Sequence, residues 1–85
     1  MSVALKLDMP ESALASIRKN PAEFAAELRL AAAVKWYELE IVSQEKAAEI
    51  SGLTRADFIS QLARFRVSSF QYSADDIEEE LRHAD

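Results

Sequence analysis

The sequence predicts a mainly α domain of four or five helices, with a helix-turn-helix at its centre and short β-strands near both ends. Three observations predict it. Capped helix starts fall in order at Asn20, Ser43 and Thr54. The only glycine, Gly52, stands between two short helical segments. Apolar residues recur at helical spacing through most of the chain, and at two-residue spacing only at 3–9 and 67–72.

The elements follow in order. Val3, Leu5, Leu7 and Met9 alternate with Ala4, Lys6 and Asp8, the pattern of a half-buried strand. Pro10 has no N–H to give a ladder and ends it. Glu11 to Lys19 reads as a short helix with Ala13, Leu14 and Ile17 inward. Asn20-Pro21-Ala22-Glu23 then opens a long helix: Asn20 caps, Pro21 takes the first helical position, and Glu23 completes a capping box. This helix is expected to run to about Glu40. It carries two apolar stripes, Phe24-Leu28-Ala32-Trp36-Leu39 and Leu30-Ala33-Val34-Tyr37-Ile41. A helix apolar on two sides is central, or packs one side against another subunit, and a homodimer is expected.

Ser43 caps the next helix, Gln44 to Ser51, which Gly52 stops in the left-handed conformation. Thr54 caps a helix reaching to about Phe65, with Asp57 at its third position and Leu53 and Phe58 placed as a hydrophobic staple. Val67 to Tyr72 is β-prone, and Ser73 caps a last acidic helix, Ala74 to about Ala84, with Ile77 and Leu81 as its sparse apolar face. The whole reads as one domain, 1–85, with the helix-turn-helix at 43–66 and the acidic helix at 73–85.

Composition narrows the function. The 85 residues include no cysteine and a single histidine, His83, near the C-terminus. Disulfides and thiolate metal sites are excluded, and a histidine-based metal site or triad is not expected. Ser68, Ser69 and Ser73 have no base partner, so neither catalysis nor a cofactor is expected. The longest uninterrupted apolar stretch, Leu30 to Val34, is far too short to span a membrane, and Lys6 and Asp8 break any signal-peptide pattern. A soluble, cytoplasmic protein is expected. The net charge is −5, but residues 51–66 carry Arg55, Arg64 and Arg66 against Asp57 alone. An acidic stretch follows at once.

The informative stretch is 44–63, two helices joined by a three-residue turn holding one glycine, which is the arithmetic of a helix-turn-helix. The second helix then lies in a major groove of DNA, presenting Thr54, Arg55, Ser60, Gln61 and Arg64, with Arg66 just past its end. Arg55 suits guanine edges and Gln61 adenine. Ser43, Gln44 and Lys46 open the first helix, where N–H groups and side chains meet phosphate. Against this, Ser51 and Gln61 are polar at positions that help bury such a motif, and few cations lie nearby. The alternative is a protein-binding adaptor whose helix-turn-helix is scaffold only. Its acidic C-terminal segment docks a basic partner through Tyr72, Asp76, Ile77, Glu80, Leu81 and Arg82.

Residues 28 to 81 resemble a family of small prokaryotic antitoxin-like helix-turn-helix proteins of the VapB class. The carrying features are Leu28-Arg29 before an alanine-rich helix, Trp36-Tyr37, the segment Ser43 to Phe58 with its Lys46-Ala47-Ala48-Glu49-Ile50-Ser51-Gly52-Leu53 core, and Tyr72-Ser73-Ala74-Asp75-Asp76-Ile77 followed by acids. The resemblance implies a toxin–antitoxin module, in which the protein silences a partner toxin, often a PIN-domain ribonuclease, and represses its own operon by binding operator DNA. The family has a glycine-containing loop before the Ser43 position, where this chain has Glu40-Ile41-Val42. The N-terminal part also resembles ribbon-helix-helix antitoxins, whose paired strands enter the major groove. Here the outward Asp8 faces phosphate poorly, and pairing with 67–72 or across a dimer accounts for the strand more simply.

Overall fold

The computed structural model describes residues 1–69. They form four α-helices: α1 (Glu11–Ser16), α2 (Pro21–Glu38), α3 (Gln44–Ser51) and α4 (Arg55–Leu62), the last continued by a 3₁₀ turn, Ala63–Phe65. The mainly α expectation holds. The acidic helix expected at 74–84 lies outside the described residues, as do Tyr72, Asp76, Ile77, Glu80, Leu81 and Arg82.

The helix starts form for the reasons their residues supply. Asn20 Oδ1 accepts from Glu23 N at 2.8 Å, and Glu23 Oε1 accepts from Asn20 N at 3.1 Å. Two donors that the first turn leaves without intrahelical partners are thus satisfied reciprocally. Ser43 Oγ accepts from Lys46 N at 3.0 Å, and Thr54 Oγ1 from Asp57 N at 3.1 Å.

The helix ends share one geometry. A residue in the left-handed region donates its N–H to the carbonyl three back, and the next residue donates to the carbonyl five back. Arg18, Glu40, Gly52 and Arg66 hold these positions, at φ 54°, 62°, 78° and 57°. The second bond of each runs from Lys19, Ile41, Leu53 and Val67 to Leu14, Trp36, Ala48 and Leu62 respectively. Only one of the four residues is glycine. A Cβ on Gly52 would lie 3.1 Å from Arg29 Nη1, because Arg29 reaches across from α2 to donate through Nε to Ile50 O at 2.8 Å. A cation thus satisfies a carbonyl at the end of α3, where the helix dipole favours positive charge.

One stripe of α2 supplies the core. Leu30, Ala33, Val34 and Tyr37 pack with Ala47 and Ala48 of α3, Phe58 and Leu62 of α4, and Val67. Ala33, Ala47 and Phe58 are fully buried. The small Ala47 and Ala48 let α3 approach α2 closely, and the Tyr37 ring meets Phe58 edge-on at 6.0 Å. Buried Ser51 is satisfied locally: its Oγ donates to Ala48 O at 2.6 Å and accepts from Leu53 N at 3.3 Å. Its polarity therefore costs the core little.

The strand expected at 3–9 does not form: residues 1–10 lie in no helix or strand. A strand needs a neighbour to take its N–H and C=O groups, and the described residues contain no other strand. Residues 67–69 are not a strand either, and they lie elsewhere. Val67 shares a groove with Ala31, Val34 and Lys35, whereas Val3, Leu5 and Leu7 line one with Ala25, Leu28, Ala32 and Trp36. These are different sides of α2. Residues 70–72 lie outside the described residues.

Candidate functional site

The Gly52-Leu53-Thr54 turn joins the end of α3 to the start of α4, and the first residues of the two helices meet through their side chains. Gln44 opens α3, Arg55 opens α4, and Arg55 Nε donates to Gln44 Oε1 at 2.9 Å. Gln44 is itself fastened. Its Nε2 donates to Ser69 O at 3.2 Å and to Tyr37 Oη at 3.3 Å, and the Tyr37 hydroxyl donates to Ser69 O at 2.9 Å. A line of hydrogen bonds therefore runs from the core, through a half-buried amide, to an exposed guanidinium. The amide has its nitrogen toward the core and its oxygen toward Arg55, so it cannot turn over without breaking bonds at both ends. Arg55 keeps its two terminal nitrogens, which make no other hydrogen bond among the described residues. That fork is the geometry that takes a pair of acceptors, such as a guanine edge or a phosphate.

Lys46, two residues past Gln44 and so on the opposite face of α3, pairs with Glu49 at 2.7 Å. The hydrogen bond and the charge of Glu49 hold the lysine ammonium above its ordinary pKa, so it stays a cation. Ser43 and Thr54 spend their hydroxyls as caps. Ser60 is exposed, and its Oγ donates to Asp57 O at 2.7 Å. Arg66 is exposed at the left-handed end of the 3₁₀ turn.

Gln61 is only partly exposed, and Arg64, though exposed, is turned toward α2. Both line the groove between α4 and α2, with Glu27 and Leu30. Arg64 Nη2 reaches both carboxylate oxygens of Glu27, at 3.0 and 3.1 Å, and its guanidinium stacks 4.8 Å from the Phe65 ring centre. The helical period explains this. Gln61 and Arg64 are three residues apart and share a flank, while Phe58 and Leu62 define the inward direction. Gln61 falls too close to that direction to face solvent fully.

Of the expected residues, Gln44 and Arg55 thus meet, Ser43 and Thr54 serve as local caps, and Lys46, Gln61 and Arg64 do not join the pair. Tyr37 and Ser69 support the pair and escaped the sequence reading. Tyr37 carried one signal: a tyrosine in a core stripe needs a partner for its hydroxyl. Ser69 acts through its backbone carbonyl, which no side-chain pattern announces. Among the described residues no group of three or more histidines, cysteines or carboxylates is placed to hold a metal ion, and no helix is long and apolar enough to cross a membrane.

Comparison with known proteins places the chain in a family. A UPF0175 protein of Aeropyrum pernix is 34% identical over 79 residues, spanning 93% of this chain and 91% of the relative. A second UPF0175 protein of the same organism is 33% identical over 78 residues, spanning 92% of this chain and 82% of the relative. No solved structure matches the chain. The model of the uncharacterised protein family UPF0175 matches residues 1–85, and the chain belongs to that family.

Proposed function

We propose that the protein is a cytoplasmic, non-catalytic DNA-binding antitoxin that represses its own operon and neutralises a partner toxin. The α3–α4 pair serves as a helix-turn-helix, with α4 as the helix that enters the major groove. The observation that carries the reading is the Gln44–Arg55 hydrogen bond. It aims an exposed guanidinium from the start of α4, the part of such a helix that reaches base edges, and leaves its fork open. Anchoring through Tyr37 and Ser69 holds the fork in place before any contact, which lowers the ordering cost of binding. Lys46 and the α3 N-terminus add phosphate contacts. The acidic segment 73–85 is the toxin-binding part of this proposal, and a PIN-domain ribonuclease is the toxin class the family resemblance implies.

The test is binding to the DNA upstream of the protein's own gene and to a scrambled control, across a salt series. Sequence-dependent binding that weakens with salt is expected, with a logarithmic slope of roughly 0.9 per phosphate contact. Arg55→Ala should cost about 1–3 kcal/mol at one base-pair position. If Arg55→Ala binds the operator as the wild type does, the assignment of Arg55 falls.

The adaptor reading keeps one specific observation in its favour. Of the four cations within 43–66, Lys46 and Arg64 are paired with Glu49 and Glu27, which reduces the charge available to phosphate. On that reading, truncation after Tyr72 abolishes capture of a basic partner protein, and DNA shows no preference over the control. Undiminished capture by the truncated chain sinks it.

A further inference from the structure

The N-terminal segment and the uncovered side of α2 pose one problem together. Val3 and Leu5 are 85% and 83% exposed, and Leu7 62%. No backbone hydrogen bond among the described residues involves residues 1–9. The segment lies beside an apolar strip of α2, and its residues, Ser2, Lys6 and Asp8 as well as Val3, Leu5, Leu7 and Met9, line grooves shared with Phe24, Leu28 and Trp36. It does not fill them, since Trp36 keeps 43% of its surface exposed. Apolar side chains, unpaired backbone and an uncovered helix face thus sit in one place.

We infer that this face is completed by a second copy of the chain, through antiparallel pairing of residues 5–9 with residues 5–9 of the partner in a register centred on Leu7. The argument is from alternation and charge. In an antiparallel pair, directly opposite residues point to the same side. Odd residues must therefore meet odd residues, or each copy would press charges onto the other's apolar face. A register centred on Lys6 sets the two Lys6 ammonium groups opposite each other, a like-charge contact. One centred on Leu5 leaves Lys6 facing Ala4 and Asp8 facing Ser2. The register centred on Leu7 sets Lys6 opposite the partner's Asp8 and Asp8 opposite the partner's Lys6. On the other side, Leu7 meets the partner's Leu7 and Leu5 meets the partner's Met9.

The sequence is therefore self-complementary in charge at the register that keeps its apolar face whole. Pro10 falls just outside the paired stretch, where its missing N–H costs no ladder bond. A twofold axis through Leu7 and normal to the pair keeps both apolar sides on one surface, which then lies against the Leu28–Trp36 strips of both copies. The inference does not depend on DNA binding, and its test involves no DNA.

Sedimentation equilibrium of the full chain should show a dimer. In that register Lys6→Asp sets two carboxylates opposite each other at both charged pairs, and Asp8→Lys sets two ammonium groups there. Each should raise the dimer dissociation constant about tenfold, since attraction turns to repulsion at two cross-strand pairs. The double exchange Lys6→Asp with Asp8→Lys should restore the wild-type constant. A mixture of the two single variants should form heterodimers at that same constant, because every cross-strand pair is then opposite in sign. Unchanged helical circular dichroism shows that the variants fold. A wild-type chain that stays monomeric at every concentration overturns the inference, and so does a dimer indifferent to both reversals.

Discussion

The two sides of α2 have similar composition and opposite fates. Leu30, Ala33, Val34 and Tyr37 are all at most 8% exposed. On the other side Leu28, Trp36 and Leu39 are 37%, 43% and 55% exposed. Hydrophobicity does not separate them, since the second side carries the larger aromatic ring. What separates them is the neighbour. The first side meets two short helices whose turn is closed by Gly52 and whose small residues admit close approach. The second side meets a segment that makes no backbone hydrogen bond among the described residues. An apolar stripe thus tells that a face is to be covered, and the covering element decides whether it becomes core.

Two substitutions separate the sides most sharply. Phe58→Ala removes a fully buried ring and its edge contact with Tyr37, and should cost about 3–5 kcal/mol. That is a large share of the stability of a small domain, so urea melts should shift far or vanish. Trp36→Ala should cost about 1 kcal/mol or less in dilute protein, because the ring is only partly buried. At concentrations where a second copy covers Trp36 its cost should rise, and melts at two concentrations measure that rise. Equal costs for both substitutions in dilute protein would erase the distinction between the sides.

The same contrast recurs at the helix ends. Gly52 and Glu40 take nearly the same left-handed conformation and make the same hydrogen bonds. Gly52 ends α3 on the packed side, with Arg29 against it, while Glu40 is exposed. Gly52→Ala should cost about 1–2 kcal/mol from φ alone, with a further loss if Arg29 must release Ile50 O. Glu40→Gly should instead stabilise by about 0.5–1 kcal/mol, the left-handed penalty removed less the entropy glycine adds to the unfolded chain. Chemical denaturation of both variants checks the two signs.

Much of this was legible in the chain, and the rest failed for identifiable reasons. Asn20, Ser43, Thr54 and Gly52 marked helix ends because capping is local: the donor, the acceptor and the backbone turn lie within a few residues. The stripe through Leu30 and Tyr37 was legible as apolar, but which of two stripes met α3 was not. Residues 3–9 have a strand's alternation, and the described residues supply no strand beside them. The Arg55–Gln44–Tyr37–Ser69 line joins α4, α3 and α2 to the segment after them; Arg55 and Gln44 were legible as residue types, whereas Tyr37 and Ser69 were not. Ser51 looked like a polar intruder, although its hydroxyl bonds to its own helix.

Arg64 tests the weakest link between the sides. From the 3₁₀ turn after α4 its guanidinium reaches Glu27, on the flank of α2 between core and open strip. The contact has both carboxylate oxygens within reach and a ring beneath the guanidinium, yet the Arg64 side chain remains 50% exposed and Glu27 29%. Water and salt screen such a pair, and holding two long side chains in one geometry costs entropy. Arg64→Ala should therefore destabilise by only about 0.5–1 kcal/mol, most of it lost by the first few hundred millimolar of added salt. Glu27→Gln should behave alike, and the double variant should lose little more than either single one. If the two losses add fully, the residues are not coupled and Arg64 is free to turn outward. On the proposed function, Arg64→Ala would then also weaken DNA binding, as is expected of Arg55→Ala. If they do not add, Arg64 belongs to the packing of α4 against α2, and Arg55 stands apart as the arginine held ready at the start of α4.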